Sequence, residues 1–149
     1  MNYSTGEVSK KLGISKDALR YYEKEGLLPA IKRDLSGHRT FSESDVEWIF
    51  LIKCLRDTDM PIFKIKKYVS LLINSCGESI SQRREILLEH EAYIKEKIAT
   101  YQSLSQLIEK KIDYFNESLS SNDPDSIKCM DYATEWEHFR ATLGGIKYD

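Results

Sequence analysis

At 149 residues, the chain is long enough for one ordinary domain or for a small domain with an extension. Its 41% hydrophobic and 31% charged residues are typical of a folded, helix-rich protein and exclude the disordered and fibrous classes. Residues 1–72 carry 13 Lys+Arg and 10 Asp+Glu, whereas residues 73–149 carry 9 and 14. This asymmetry favours a first half that meets phosphate groups.

Several functional classes do not fit the sequence. It has no apolar run long enough to span a bilayer and no signal peptide, so we expect a cytoplasmic protein without a membrane partner. Its cysteines are odd in number and widely spaced, which argues against a disulfide framework. The chain also lacks a metal-protease pair, a phosphate loop and a nucleophile–histidine–acid set, so we expect neither enzymatic activity nor a cofactor.

Two short helices are predicted near the start of the chain. Residues 4–7 match a capping box, and Gly13 ends the helix that follows. Ser15 caps a second helix, in which Leu19 and Tyr22 face inward. Three of its side chains are left facing outward: Lys16, Arg20 and Tyr21. Two short helices joined by a glycine-containing turn predict a helix-turn-helix, whose second helix enters the major groove of DNA.

A hairpin is predicted over residues 27–41, with its turn at residues 35–37. Four basic or titratable side chains lie on it: Lys32, Arg33, His38 and Arg39. A basic hairpin beside a reading helix forms a wing that can follow the DNA backbone.

Two further helices complete a predicted DNA-binding domain over residues 1–73. A second capping box at residues 42–45 begins a helix that runs to about Arg56 and is mostly buried, because it is apolar around much of its circumference. The next helix begins at Pro61 and ends near Ile73. Its inward positions are Ile62, Ile65, Val69 and Leu72.

From residue 80 the apolar pattern has a period of seven. One heptad row is fully apolar: Ile80, Leu87, Ile94, Tyr101, Ile108 and Phe115. The second row is apolar at three of six positions: Arg84, Glu91, Ile98, Ser105, Ile112 and Leu119. The pattern predicts a coiled-coil helix over residues 78–119, and a second copy of the chain is the expected partner because no other long heptad segment is present.

Residues 120–149 are predicted to form a linker and a short C-terminal helix. One face of this helix is apolar: Met130, Ala133, Trp136, Phe139 and Leu143.

These features resemble a known family. Four segments occur in the order and at the spacing of the MerR family of bacterial transcription regulators: Thr5-Gly6-Glu7-Val8-Ser9, Leu19-Arg20-Tyr21-Tyr22-Glu23, Gly26-Leu27-Leu28-Pro29 and Gly37-His38-Arg39. The resemblance covers about residues 2–73, and the following heptads fit the family's dimerisation helix. The chain departs from the family at His38, where an aromatic residue is usual, and at Asp59, where glycine is common.

The resemblance implies a mainly α protein, with a winged helix-turn-helix, a long antiparallel coiled-coil dimerisation helix and a short C-terminal helix. It implies a homodimer that binds a near-palindromic operator in double-stranded promoter DNA. Such regulators bend and untwist an overlong promoter spacer so that RNA polymerase can use both promoter elements, which is control through DNA deformation. By position, four residues are implied to contact DNA: Arg20, Tyr21, Arg39 and Arg56. Lys16 and His38 complete the expected set.

Cys54 is the predicted sensor. The neighbouring cations Lys53 and Arg56 favour a reactive thiolate, and modification there lies two residues from the expected phosphate contact of Arg56. This resembles the thiol-dependent branch of the family, which responds to aldehydes and other electrophiles, so we expect electrophiles or oxidants to act on Cys54. The alternative is a small buried hydrophobe on an apolar helix.

Two other functions are alternatives within the family. Cys76 and Cys129 flank the long helix, at whose ends metal-responsive relatives bind their ion, and two thiolates with the His138 imidazole form a set that can bind zinc. Surface or core cysteines unrelated to a metal are the expected alternative. Those relatives carry a close pair of cysteines after the helix, which this chain lacks, so no metal site is predicted. A small-ligand sensor has less support, because relatives with that role carry a larger C-terminal domain.

The alternative from another class is an architectural protein, such as an excisionase-like winged helix that bends DNA without sensing anything. Proteins of that kind typically lack a long dimerisation helix, so the heptads favour the regulator.

Overall fold

The computed structural model describes residues 2–74, 79–121 and 132–142. The chain forms two compact units, Met1–Ile94 and Lys95–Asp149. Helices and strands follow in this order: β1 (Asn2–Ser4), α1 (Thr5–Leu12), α2 (Lys16–Lys24), β2 (Lys32–Arg33), β3 (Arg39–Ser42), α3 (Glu43–Asp57), α4 (Ile62–Asn74), α5 (Ile80–Ser120) and α6 (Tyr132–Thr142). This confirms the mainly helical fold, with its helix-turn-helix, wing, long helix and short C-terminal helix. Within the described ranges, no helix is both long and apolar enough to cross a membrane.

Both predicted capping boxes are present. Ser4 Oγ accepts a hydrogen bond from the Glu7 amide at 3.3 Å, and the Glu7 carboxylate accepts one from the Ser4 amide at 2.7 Å. The same exchange joins Ser42 and Asp45, at 3.2 and 2.8 Å. These bonds satisfy amides that would otherwise be unpaired at the starts of α1 and α3, so each helix begins where the sequence predicts.

The wing belongs to a three-stranded sheet with the order β1-β3-β2. The predicted hairpin is confirmed by the antiparallel pairing of β2 with β3, in which Lys32 lies opposite Thr40. The sequence did not predict β1, which pairs with the other edge of β3 and places Tyr3 opposite Phe41. A strand of three residues is too short to show an alternating pattern.

The core of the first unit joins the helix-turn-helix to α3 and α4. The side chains of Val8, Leu27, Ile49, Ile52 and Ile65 are fully buried in it. Burial of such apolar side chains is the main stabilising contribution to a domain of this size.

Trp48 secures α3 to the segment that follows α2. Its indole nitrogen donates to the Leu27 carbonyl oxygen at 2.9 Å, and its ring stacks on Tyr68 of α4 with centroids 6.2 Å apart. The inward assignment of Leu72 was wrong, since its side chain is 41% exposed. Phe50, on the helix that was predicted to be mostly buried, is 54% exposed. Apolar residues on most of the circumference of a helix do not all reach a core that touches it from one side.

The start of α5 packs on the core of the first unit through Ile86 and His90, which are both buried. These two residues are four apart and therefore share one face of the helix. Neither belongs to the predicted heptad rows. Most apolar residues of those rows are exposed, among them Ile80, Leu87, Ile98, Tyr101, Ile108, Ile112, Phe115 and Leu119.

In the second unit, α6 packs on the later part of α5. Phe139 is buried against Tyr114, with ring centroids 5.8 Å apart. The Lys111 ammonium lies 4.6 Å from the Phe139 ring centroid and 2.5 Å from a Glu135 carboxylate oxygen. A paired lysine over an aromatic ring stabilises this contact. Two predicted apolar positions of this helix, Met130 and Leu143, lie outside the described residues.

Candidate nucleic-acid interface

Helix α2 presents the outward face that the sequence predicts. The Ser15 hydroxyl caps it by accepting from the Ala18 amide at 3.0 Å. Leu19 and Tyr22 are buried in the core and fix the rotation of the helix about its axis. As a result, three side chains are exposed together: Lys16, Arg20 and Tyr21.

An open groove of about 320 Å³ lies between α2, the start of α1 and the wing. It is lined by Ser4, Thr5, Gly6, Lys16, Arg20, Gly37, His38 and Arg39. The fold therefore brings four of the six predicted DNA-contact residues into one cationic groove, although they come from two separate segments of the chain. We call this surface the basic groove. Cationic side chains beside the amides at a helix start form a favourable environment for phosphate groups.

Arg20 is held by an exposed partner. Its Nη1 lies 3.1 Å from Asp17 Oδ1, and the two side chains are 63% and 89% exposed. An ion pair in this setting contributes little to stability because water and salt screen it. Arg20 can therefore exchange Asp17 for a phosphate at low cost.

Arg39 is held more firmly. Its Nη2 and Nε lie 2.6 and 2.7 Å from Glu23 Oε2, and the two side chains are only 26% and 28% exposed. Glu23 lies near the end of α2 and Arg39 begins β3, so this ion pair joins α2 to the wing. Charge-assisted hydrogen bonds that are partly shielded from water are stronger than exposed ones.

Asp34 organises the tip of the wing. Its Oδ1 accepts from the amides of Ser36 and His38, each at 2.9 Å, and its own amide donates to the His38 carbonyl oxygen at 2.8 Å. Gly37 has a φ of +81°, the left-handed conformation that the predicted turn requires. The His38 ring remains exposed in the groove, with Nδ1 3.7 Å from Asp34 Oδ2.

The other two predicted DNA contacts do not line the basic groove. Tyr21 is exposed on α2, with its ring 6.3 Å from that of Tyr22. Arg56 is half-buried, and its Nη1 donates to the Met60 carbonyl oxygen at 3.0 Å. Burial raises the pKa of the Tyr22 hydroxyl, and the positive charge of Arg56 opposes that rise.

Cys54 is a half-buried free thiol near the end of α3. The neighbouring Lys53 ammonium is hydrogen-bonded to Asp57, which raises the pKa of Lys53. Cys76 and Cys129 lie outside the described residues. Within the parts of the chain that the structure does describe, no three His, Cys, Asp or Glu side chains are grouped to hold a metal.

Sequence reasoning missed three acidic residues that shape the interface: Glu23, Asp34 and Glu43. Glu43 accepts from the Tyr3 hydroxyl at 2.6 Å and from Lys11 Nζ at 3.3 Å, which joins β1, α1 and α3 and lowers the pKa of Glu43. Only Asp34 carried a local signal, since aspartate three residues before a glycine is typical of a turn.

Comparison with known proteins places this geometry in a family. Residues 3–72 match the family model of the MerR HTH family regulatory protein. An uncharacterised HTH-type transcriptional regulator of Haemophilus influenzae is 34% identical over 119 residues, which cover 79% of this chain and 87% of that protein. The HTH-type transcriptional regulator AdhR of Bacillus subtilis is 36% identical over 83 residues, which cover 56% of this chain and 59% of AdhR.

The same fold occurs in a protein–DNA complex. The crystal structure of HiNmlR, a MerR family regulator lacking the sensor domain, bound to promoter DNA, has a TM-score of 0.75 to this chain. Its sequence is 31% identical, and the likeness covers 85% of this chain and 100% of HiNmlR. The helix-turn-helix, the wing and these likenesses together show that the chain belongs to the MerR family of DNA-binding transcription regulators.

Proposed function

We propose that the chain acts as a homodimer on a near-palindromic promoter operator, and that modification of Cys54 by an electrophile makes it distort an overlong promoter spacer for RNA polymerase. The observation that carries the DNA-binding part is the basic groove, in which Lys16, Arg20, His38 and Arg39 lie together. The promoter complex of HiNmlR, which has the same fold, supports this assignment.

In this proposal the basic groove follows the phosphate backbone. Lys16 and Arg20 extend from the recognition helix, and His38 and Arg39 from the wing. Tyr21, exposed beside Arg20, and Arg56, beyond the groove, extend the contact. Contacts of this kind fix the position of a protein on the duplex, while sequence preference comes from base edges and from the cost of deforming the DNA.

The apolar side chains of the two predicted heptad rows that are exposed along α5 support the homodimer. Large apolar side chains that recur along one helix are costly to leave in water, and the same rows of a second copy cover them in a coiled coil.

The trigger in this proposal is addition to Cys54. Its thiolate attacks the carbonyl carbon of an aldehyde, a C–S bond forms, and the π electron pair moves to oxygen, which takes a proton from water. The resulting hemithioacetal adds a hydroxyalkyl group to a half-buried side chain. Because protein interiors are closely packed, the neighbouring atoms must move to accommodate this group.

The test is transcription in vitro from an operator with an overlong spacer, selected from random duplexes for binding this protein. Wild-type protein and Cys54→Ser are compared with and without a small aldehyde. Induction that disappears in the variant supports the proposed trigger. Equal induction of both proteins rejects Cys54 as the sensor and leaves the DNA-binding proposal intact.

Footprinting separates this function from that of an architectural protein. A promoter regulator protects one site between the promoter elements, whereas protection of several adjacent sites would show an architectural coat and contradict the proposal.

A further inference from the structure

A hydrogen-bonded chain connects the Cys54 turn to the long helix. Thr58 is the C-cap of α3, and its amide donates to the Cys54 carbonyl oxygen at 3.1 Å. The Thr58 hydroxyl donates to the same oxygen at 2.8 Å. On its other side, Thr58 Oγ1 lies 2.7 Å from Nε2 of His90, a buried residue of α5.

The direction of this chain follows from its protons. The Thr58 hydroxyl has one proton, and its acceptors are the carbonyl oxygens of Cys54 at 2.8 Å and Leu55 at 3.3 Å, so we assign His90 Nε2 as the donor to the hydroxyl oxygen. In this assignment neutral His90 carries its proton on Nε2. Its ring also stacks on Tyr93, with centroids 5.9 Å apart, which holds the imidazole in place.

Other contacts also hold α5 in the first unit. Ile86 is buried in the core one turn before His90, and Lys64 Nζ pairs with Glu89 at 2.9 Å on the surface. The apolar contact has no directional preference and the ion pair is screened, so both tolerate small shifts. The partly buried hydrogen bond between Thr58 and His90 tolerates them less well, because a shielded polar group that loses its partner is costly.

We propose that Thr58 and His90 are positioning residues through which modification of Cys54 acts on α5. This inference rests on the proposed function, in which Cys54 is the sensor. An adduct that displaces the Cys54 backbone moves the carbonyl oxygen that Thr58 holds, and the hydroxyl must then move relative to His90. The helix-turn-helix with its wing and the long helix α5 thereby change position together.

The test uses the full chain with Cys76→Ser and Cys129→Ser, so that N-ethylmaleimide adds only to Cys54. In this addition a C–S bond forms, the alkene π pair becomes an enolate, and the enolate is protonated by water. Thr58→Val removes the hydroxyl while keeping the shape of the side chain, and Thr58→Ser keeps the hydroxyl. Intact mass reports the adduct, operator titration reports binding, and transcription in vitro reports induction.

We expect Thr58→Val to be labelled as fully as its parent and to bind the operator equally well, but to be induced about fivefold less, as for the loss of one hydrogen bond. Thr58→Ser should be induced like the parent. Full induction of Thr58→Val overturns the inference while leaving Cys54 as the sensor. Induction of a Cys54→Ser control by the reagent overturns the proposed trigger and this inference together.

Nuclear magnetic resonance gives a second test that does not depend on a Thr58 variant. With ¹⁵N-labelled histidine, the Nε2 signal of His90, assigned with His90→Gln, should shift when Cys54 is alkylated. His38 and His138 serve as internal references. An unchanged His90 signal in fully alkylated protein contradicts the inference.

Discussion

Glu23 fixes Arg39 by accepting from both Nε and Nη2 at a single carboxylate oxygen, at 2.7 and 2.6 Å. Helix α2 and the wing are thus joined by a side-chain ion pair as well as by the backbone segment that connects them. Because the basic groove lies between these two elements, its width depends on this ion pair.

Glu23→Gln should weaken DNA binding, although it removes a negative charge close to the basic groove. Glutamine keeps the shape of the side chain but forms a weaker bond to the guanidinium, so the wing is held less firmly. We expect about fivefold lower affinity for the operator at fixed salt, measured by fluorescence anisotropy.

Glu47→Gln provides the matched control, since Glu47 is an exposed acid on α3. It loses the same charge and should bind the operator as well as the wild type or slightly better. If Glu23→Gln also binds more tightly, bulk charge rather than the position of the wing controls affinity.

Arg20→Ala should reduce both operator affinity and its salt dependence. Each phosphate contact contributes about 0.9 to the slope of log K against log salt, so the slope should fall by about that amount. Lys67→Ala, which removes an exposed cation on α4, should leave the slope unchanged. Parallel salt plots for wild type and Arg20→Ala would show that Arg20 does not contact a phosphate.

Ser42→Ala should destabilise the first unit by about 1 kcal/mol, because it removes the side-chain cap of α3. Ser44→Ala, in the first turn of the same helix, is the control and should change stability by less than about 0.5 kcal/mol. Urea denaturation followed by circular dichroism measures both. An equal effect of the two substitutions would show that the cap contributes nothing specific.

Acidification should destabilise the fold through His90. Burial lowers the pKa of His90 below its usual 6.5, with a smaller contribution from Lys64 that nearby Asp59 opposes. As the pH is lowered through about 6.5, His90 becomes protonated in the unfolded chain but stays neutral in the folded protein. The free energy of unfolding therefore decreases as the pH decreases. Replacing His90 with glutamine should flatten this dependence between about pH 7.5 and 5.5, and His38→Gln on the exposed wing should not.

Local chemistry made much of this fold predictable. Helix starts depend on a serine and an acid three residues apart, and both capping boxes formed as the spacing required. The turn at Asp59 could also be anticipated, because glycine is common there in the family; Asp59 has a φ of +66°, a conformation that aspartate tolerates.

Contacts between distant segments were not predictable. The pairing of β1 with β3 and the bond from Arg39 to Glu23 depend on how the helix-turn-helix folds against the sheet, and no spacing in the sequence encodes that. The burial of His90 is a similar case. In sequence it is one polar residue on an amphipathic helix, and only the position of α5 against α3 makes it a buried hydrogen-bond partner of Thr58.

The turn at the wing tip is stabilised by Asp34 and not by the side chains exposed beside it. Since its carboxylate and amide supply the hydrogen bonds of the wing tip, the neighbouring Leu35 and Ser36 side chains project outward. Substitutions at these two positions are therefore expected to have little effect on folding. The conformation of the wing tip therefore depends on Asp34 and on the left-handed Gly37, and not on the two side chains that it exposes.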